Sequence, residues 1–333
     1  MNALAAAVFV LCFLWLEQFG FTATKDEIVQ AAKQEGELVF YASLGLEDAN
    51  SLINQFTKQY PFLKVRQNRL ETERVLTKYL MEAGAGKYLA DVVQTFAFSM
   101  HTFAKKGMLS QYISPEAQFY PQGFKAEGYW TTAYAQPYVV AYNTKTVPGP
   151  QLPKTYGDLL NPFWKGNMMM EGTKIDWLAG MLQIMGKEKG IDYMRRLAKQ
   201  DLNLRTGHTI MLQMIAAGES LVDVNVPVTS VERAKRNGAP LDWLALGPVP
   251  SVLVGIGVSG KPEHPNAAKL FVDFVLSKQG QRTVLGFNRV PVRPDMRGEL
   301  TPQLKALEMV PVSPALADNI NEYAGLLNSI FTQ

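Results

Sequence analysis

The chain has 333 residues, of which 47% are hydrophobic and 19% charged, and its formal net charge is +3. This length is too great for one small core, so two domains are expected. The near-neutral balance, without a long run of Lys and Arg, is not the composition of a nucleic-acid-binding surface.

The first 23 residues have the composition of a secretory signal peptide. Residues Ala3–Leu16 are uncharged and apolar, a run shorter than the roughly 20 residues that a membrane-spanning helix needs. Phe21–Ala23 offers a small-residue cleavage site, although no Lys or Arg precedes the apolar run. We therefore expect export, with residues 1–23 either removed or kept as an anchor. Cys12 is the only cysteine, so the mature chain would hold no disulfide, thiolate metal site or cysteine nucleophile.

Alternating helix and strand patterns fill the first hundred residues after this leader. Gly36 and Pro61 end two of the helices, and apolar residues recur at helical spacing between them. We predict helices at Lys25–Glu35, Glu47–Tyr60, Thr72–Ala83 and Phe98–Lys105, and strands at Glu37–Ser43, Phe62–Leu70 and Ala90–Gln94. Such alternation indicates right-handed βαβ units and a mainly parallel sheet flanked by helices.

Two β-rich passages separate this block from a second one. The predicted strand Tyr129–Ala135 continues through Pro137–Asn143, and Val252–Ser259 returns to the first block. After the first passage, Thr144–Pro153 has the composition of a linker, with three prolines and a glycine. Two such passages predict an α/β protein of two lobes joined by hinge strands, with a ligand cleft between them.

The second block repeats the alternation. Predicted strands are Asn167–Glu171, Asp201–Arg205, Leu221–Val226 and Leu241–Leu246, and predicted helices are Ile175–Met185, Ile191–Lys199, Thr209–Ala217 and Ser230–Asn237. After the return, helices are predicted at Pro265–Ser277 and Gln279–Phe287, followed by a helical tail. Lobe 1 is therefore predicted to contain residues 24–138 and 250–333, and lobe 2 residues 139–249.

Catalytic motifs are missing from the sequence. It contains no His-x-x-x-His pair, no Gly-x-Ser-x-Gly elbow, no P-loop and no dinucleotide fingerprint. Gly255 and Gly257 precede a strand end rather than a helix, so we predict that they lie where two backbones approach each other closely. The histidines lie far apart at His101, His208 and His264. We expect no catalytic residue, metal or cofactor. An acid/base pair across the cleft from Glu71, Asp176 or Asp223 remains an alternative.

Small polar residues follow several predicted strands. In open α/β sheets, ligands bind beyond the carboxyl ends of strands, where free N–H groups of helix starts favour anions or polar oxygens. An ordinary helix cap is the alternative for each residue. The candidate ligand-binding residues at these strand exits are Ser43, Leu44, Glu71, Thr72, Thr95, Thr173 and Asn225. Tyr138 and Tyr142 in the crossing strand either line the cleft or pack in the core.

Several motifs resemble a known family. The most specific are Glu37–Ser43, Leu159–Gly166 with its Pro-x-x-Trp-Lys-Gly sequence, Ala216–Glu219, and His264–Ser277 followed by Gln279–Gln281. The chain resembles the type II periplasmic solute-binding proteins of bacterial ABC transporters, in the branch that includes the ferric-iron binders. The resemblance implies a monomeric periplasmic protein whose lobes close on a small-molecule ligand. It also implies delivery of that ligand to an ABC permease in the inner membrane.

The sequence departs from the iron-binding members. In the iron-binding members that the chain resembles, adjacent tyrosines follow a strand of the second lobe. The matching segment of this chain, Val224–Ser230, contains no tyrosine. The exit at Ser43 and Leu44 has no histidine, although Glu71 offers one carboxylate. A small polar or anionic solute is therefore expected, with ferric iron as the alternative. An acid/base enzyme on the same fold and a ligand-sensing domain are alternatives of other classes.

Overall fold

A computed structural model describes residues 24–126 and 128–332. The predicted signal peptide, residues 1–23, lies outside the described residues. Within the described ranges, no helix has both the length and the apolar character required to cross a bilayer.

The elements follow the predicted alternation. The helices of the described residues are α1 (Lys25–Glu35), α2 (Leu46–Gln59), α3 (Thr72–Gly84), α4 (Ala97–Lys105), α5 (Ile175–Met185), α6 (Lys187–Ala198), α7 (His208–Ala217), α8 (Val228–Arg236), α9 (Pro265–Leu276), α10 (Lys278–Gly286), α11 (Pro302–Lys305) and α12 (Ile320–Phe331). The strands are β1 (Glu37–Ala42), β2 (Lys64–Arg69), β3 (Val92–Phe96), β4 (Lys125–Ala126), β5 (Trp130–Asn143), β6 (Met168–Glu171), β7 (Asn203–Arg205), β8 (Val222–Pro227), β9 (Leu241–Leu244), β10 (Val249–Val258) and β11 (Met309–Pro311).

The first lobe is built on three parallel strands in the order β2-β1-β3. Gly36 ends α1 in the left-handed conformation, with φ of 72°, as predicted for a helix C-cap. The predicted apolar stripe of α9 is buried against the sheet. The ring of Phe271 lies with its centroid 4.7 Å from that of Phe40 and 4.9 Å from that of Phe56. These aromatic contacts join α9, β1 and α2 in one core.

The second lobe has a smaller parallel sheet, in the order β8-β6-β7. Met168, Met169 and Met170 form the buried strand β6, as predicted. Helix α6 begins at Lys187, four residues before the predicted start at Ile191. Its first turn is polar and exposed, so the apolar periodicity used for the prediction does not extend into it.

Strands β5 and β10 connect the two lobes. The first half of β5, Trp130–Pro137, pairs antiparallel with β10, while Tyr138–Asn143 pairs with β8 and β9. A Cβ placed on Gly257 of β10 would lie 2.5 Å from the carbonyl oxygen of Tyr129. The predicted close backbone approach is confirmed there, because only glycine fits at that distance. The hinge between the lobes therefore consists of two strands, β5 and β10, that are hydrogen-bonded to each other, and not of a flexible linker.

Two predicted assignments need correction. The segment Thr144–Pro153 is not a linker between lobes, because β5 has already crossed, and Val147 is buried in the second lobe's core. The tail does not belong wholly to lobe 1. Helix α12 packs against α5 and α6, and the side chains of Leu327 and Ile330 are buried in the core of the second lobe. Apolar periodicity identified this helix but carried no information on which lobe it covers.

Candidate functional site

A cavity of about 1040 Å³ lies between the two lobes. The first lobe lines it with the first turns of α2 and with one side of α10. The second lobe contributes α8 and the starts of α5 and α7, while Gln136 and Tyr138 of β5 lie between the two sides. The volume lies near the upper end of the range for ligand pockets, large enough for an organic molecule.

Positive charge predominates on the cavity wall. Its cationic residues are Lys174, Arg233, Arg236, Arg282 and Arg289. Its acidic residues are Glu47 and Asp48. Both lobes contribute arginines, so an anion between the lobes is attracted from both sides. A concave surface of one sign concentrates ligands of the opposite sign.

Most of these cations have a partner, but Arg233 has none among the residues that the structure describes. Arg289 Nη2 lies 3.3 Å from Asp48 Oδ2, and Arg282 Nη2 lies 2.9 Å from Glu299 Oε1. Lys174 Nζ lies 3.3 Å from Glu171 Oε2, and Arg236 donates a hydrogen bond to Asn288. Within the described part of the chain, the Arg233 guanidinium forms no ion pair or side-chain hydrogen bond. It is therefore available to a ligand.

Three helices of the second lobe begin at the cavity. Lys174 precedes α5, Gly207 precedes α7 and Pro227 precedes α8, and none of the three caps its helix with a side chain. Thr229 and Ser230, in the first turn of α8, line the cavity. At α5, the N–H groups of Ile175 and Trp177 are already engaged, by the Thr173 carbonyl and the Asp176 side chain. The remaining N–H groups and the helix dipoles add partial positive charge on this side. Helix starts of this kind favour anions.

The described residues offer no candidate metal centre. No group of three or more His, Cys, Asp and Glu side chains comes together within residues 24–126 and 128–332. At the strand exit expected to carry tyrosines in an iron binder, the cavity is lined by Pro227, Thr229 and Ser230. These side chains lack the phenolate oxygens that suit Fe(III), whereas hydroxyl groups suit an anion as hydrogen-bond donors.

Comparison with known proteins identifies the family. The family description "Bacterial extracellular solute-binding protein" matches residues 87–313, about two thirds of the chain. This chain belongs to the bacterial extracellular solute-binding proteins. The resemblance predicted from the sequence motifs is thereby confirmed at the level of the family.

Of two relatives of this solute-binding protein, one has a name that states its ligand and the other does not. The Fe(3+)-binding periplasmic protein of Serratia marcescens is 24% identical over 266 residues, covering 76% of this chain and 77% of the relative. A probable ABC transporter periplasmic-binding protein, y4fP of Sinorhizobium fredii, is 24% identical over 59% of this chain and 58% of its own length.

A solved structure supports the two-lobed fold. The periplasmic binding protein AfuA from Actinobacillus pleuropneumoniae, with fructose-6-phosphate bound, superposes with a TM-score of 0.71 at 22% identity. The match covers 90% of this chain and 99% of AfuA. At this identity the likeness shows the fold alone, so the ligand of the present protein has to be inferred from its own cavity.

Of the nine ligand-binding residues predicted from sequence, Tyr138 lines the cavity. Three others lie beside or near residues that do. Leu44 is buried in the first lobe's core, two positions after the end of β1, and the nearby residues Glu47 and Asp48 line the cavity instead. Thr95 is buried next to Phe96, and Thr173 precedes Lys174, both of which are lining residues. The strand-exit rule thus selected loops that border the cavity, but in these three loops a neighbouring or nearby side chain lines it.

The remaining predicted residues are placed elsewhere in the described structure. Ser43 follows β1 and bonds through its N–H to the Gln94 carbonyl. Glu71 and Thr72 follow the edge strand β2, where Glu71 pairs with Arg69 at 2.6 Å. Tyr142 packs at the edge of the second lobe's core. None of these four residues lines the interlobe cavity, and whether they contact a ligand stays a prediction.

Asn225 is fully buried and braces two strands. Its side-chain oxygen accepts a hydrogen bond of 2.8 Å from the Glu171 N–H, and its side-chain nitrogen donates one of 3.0 Å to the Glu171 carbonyl. Both halves of the amide are engaged and Asn225 does not line the cavity, so a direct contact with a ligand stays a prediction. It fixes the carboxyl ends of β6 and β8 beneath the cavity.

A group of buried ionisable side chains lies beneath the cavity in the second lobe. The Tyr138 hydroxyl donates a hydrogen bond of 3.1 Å to Asp176, and burial raises the pKa of both groups. Burial also lowers the pKa of His208 to about 3, so its ring is neutral at pH 7. For Asp223, burial raises the pKa to about 7, and the nearby Glu171 adds to the shift. Asp176 and Asp223 share one lobe and therefore do not form a pair across the cleft with each other, and Glu71 of the first lobe does not line the cavity.

Replacing Asp223 with Asn is expected to weaken the dependence of the free energy of unfolding on pH between about pH 4 and pH 7. An Asp in the unfolded chain has a pKa of roughly 4. Between that value and about 7, folded Asp223 keeps a proton that the unfolded chain has released. Its contribution to stability therefore falls as pH rises through this window. Relative to the wild type, D223N should gain on the order of 2 kcal/mol from pH 4 to pH 7, because each pKa unit corresponds to roughly 1.4 kcal/mol at most.

Urea unfolding at intervals between pH 4 and pH 8 measures this difference. The slope of the unfolding free energy against pH is compared between the two proteins. A constant cost of burying the new amide shifts the whole D223N curve and leaves its slope unchanged. Asp242→Asn serves as a control, since the pKa of that carboxyl is lowered and its contribution has the opposite sign. Parallel profiles for the wild type and D223N would contradict the prediction.

Proposed function

We propose that this protein is the substrate-binding component of an ABC importer and captures a small organic anion in its interlobe cleft. The main observation behind this proposal is that five cationic side chains but only two acidic ones line the cavity. The three uncapped helix starts of the second lobe support the same conclusion. We also propose that the chain is exported to the periplasm and delivers its ligand to an inner-membrane permease.

Closure of the two lobes on the ligand is part of this proposal. The cationic residues lie on both walls, with Arg282 and Arg289 on the first lobe and Lys174 and Arg233 on the second. An anion that contacts both walls interacts more strongly with a closed form than with an open one, and so shifts the population toward closure. Such hinge closure gives a permease a way to distinguish loaded from empty protein.

Ferric iron is a weaker candidate for the ligand, although the relative from Serratia marcescens is named as an Fe(3+)-binding protein. Three or more hard oxygen or nitrogen side chains around a common point are the usual requirement for a transition metal. The described residues contain no such group of His, Cys, Asp and Glu, and the cavity wall is net positive. A trivalent cation would have to enter against that charge.

A ligand panel tests the proposed function. Melting temperatures of the purified protein are measured with phosphate, phosphonates, phosphorylated sugars and dicarboxylates, and with free sugars, polyamines and Fe(III)-citrate. A ligand at one hundred times its Kd adds about 2.7 kcal/mol to stability. We expect shifts with organic anions that shrink at high salt, because opposite charges are screened. The bound anion should be recovered chemically unchanged.

The controls separate the alternatives. Iron-free citrate is run beside Fe(III)-citrate, so that binding of the carrier is not mistaken for binding of the metal. A shift that requires Fe(III) and brings a visible absorption band would replace the anion with iron. Stabilisation by polyamines but not by anions would refute the electrostatic argument, and consumption of the ligand would indicate an enzyme.

A further inference from the structure

A side groove opens from the second-lobe wall of the cavity. It has a volume of about 180 Å³ and lies between α7 and α8. Its lining residues are Thr209, Leu212, Gln213, Ala216, Ser230, Arg233, Ala234, Asn237 and Ala239. On α7, Leu212 and Ala216 lie one turn apart, and Ala234 faces them from α8. Small side chains at these positions keep the groove open.

The groove is apolar inside and polar at its entrance. Leu212 is buried, and the partly buried Ala216, Ala234 and Ala239 pack against the same apolar core of the second lobe. The polar lining residues on α8 are spaced one turn apart along the helix, at Ser230, Arg233 and Asn237. A pocket of this kind suits a ligand with an apolar body and one polar end.

The entrance of the groove coincides with the wall of the main cavity. Ser230, Arg233 and Asn237 line both spaces. Arg233 therefore lies at the junction, and among residues 24–126 and 128–332 it is the cavity arginine with neither an ion-pair partner nor a side-chain hydrogen bond. A negatively charged group bound by this guanidinium would have the apolar groove directly beside it.

We propose that this groove is a subsite for the apolar part of the ligand, and that the ligand is an amphipathic organic acid. The proposal rests on the proposed anion-binding function. The acidic group binds Arg233 in the last turn of α8, and an alkyl or aromatic substituent extends between Leu212, Ala216 and Ala234. The volume accommodates roughly six water-sized groups, enough for a chain of about four to six carbons.

Two homologous series of acids test the subsite. Kd values are measured by titration calorimetry for methyl-, butyl- and hexylphosphonate, and for acetate, butyrate and hexanoate, with inorganic phosphate alongside. Burial of each methylene should raise the affinity roughly fourfold until the groove is full. Apolar burial should also make the heat-capacity change of binding more negative along each series.

Variants locate the apolar part of the ligand. Ala234→Phe fills the groove from α8, and Ala216→Leu fills it from α7, so either one should abolish the dependence of affinity on chain length. Ala217→Phe is the matched control, because Ala217 is exposed on α7 and does not line the groove. It should leave the chain-length dependence unchanged. Having one variant on each wall keeps the test informative if the other fails to fold.

The outcomes separate the subsite from the proposed function. Equal affinities along both series in the wild-type protein would overturn the subsite while leaving anion binding in place. A chain-length dependence that persists in both A234F and A216L would also overturn it. Failure of every acid to bind, with inorganic phosphate included, would instead refute the proposed function on which the subsite depends.

Discussion

Arg233→Glu should lower the affinity for the anionic ligand by on the order of 100-fold or more. Removing one partner of a close charge pair at an interface costs about 2–5 kcal/mol, and the new carboxylate adds repulsion. Arg233 lies on the cavity wall and has no ion-pair partner in the described structure, so its charge is uncompensated there. The affinity is measured by titration calorimetry with the best ligand of the panel.

Arg195→Glu is the control for this charge reversal. Arg195 is exposed on α6 in the same lobe and does not line the cavity, so the net charge changes equally without a change at the site. Equal losses of affinity in R233E and R195E would mean that the overall field, rather than a local contact, binds the anion. Retained affinity in R233E would remove Arg233 from the site.

Arg293→Met should produce the largest loss of stability among simple substitutions of charged residues. The Arg293 side chain is 3% exposed, and Nη1 lies 2.5 Å from Glu116 Oε2. It also donates to Asp295 at 2.9 Å and to the Leu276 carbonyl at 2.8 Å, and its guanidinium lies 4.6 Å from the centroid of the Phe119 ring. Methionine of similar length keeps the packing but leaves these acceptors without their donor.

The expected loss for R293M is about 3 kcal/mol, at the lower end for broken buried ion pairs because Glu116 is partly exposed. A protein of this size should then melt roughly 4–6 °C lower. The stability of the Arg293→Lys variant should fall between those of the wild type and R293M, since an ammonium keeps the charge but cannot reproduce the paired hydrogen bonds. Arg74→Met, at an exposed site on α3, should change stability by less than about 0.5 kcal/mol. Equal melting temperatures for R293M and R74M would contradict the argument.

The fold could largely be predicted because its signals are local. Apolar periodicity, the glycine after α1 and the alternation of elements all act over a few residues, and each was present in the sequence. The apolar face of α9 and the buried methionines of β6 were identified in this way. The packing of α12 on the second lobe was missed, because the choice between two apolar surfaces is made by the tertiary structure.

The ligand site could be predicted only in part. The strand-exit rule identifies a loop, but the direction of each side chain depends on strand twist and on where the next helix starts. Thr95 and Phe96 illustrate this, because the threonine points into the core while its neighbour reaches the cavity. The arginines of α8 and α10 gave no signal, since a basic residue on an amphipathic helix has the same sequence pattern on a solvated face as in a cleft.

The position of β10 determines when the first lobe can be completed during synthesis. β10 lies between β3 and β5 in the sheet, yet the ribosome produces it only after the whole of the α5–α8 block. Until then, the growing chain has β3 and β5 without the strand that joins them. Contacts of such long sequence separation form slowly. The nascent chain therefore stays incompletely folded until most of it has been made, which suits a protein that we propose to be exported to the periplasm.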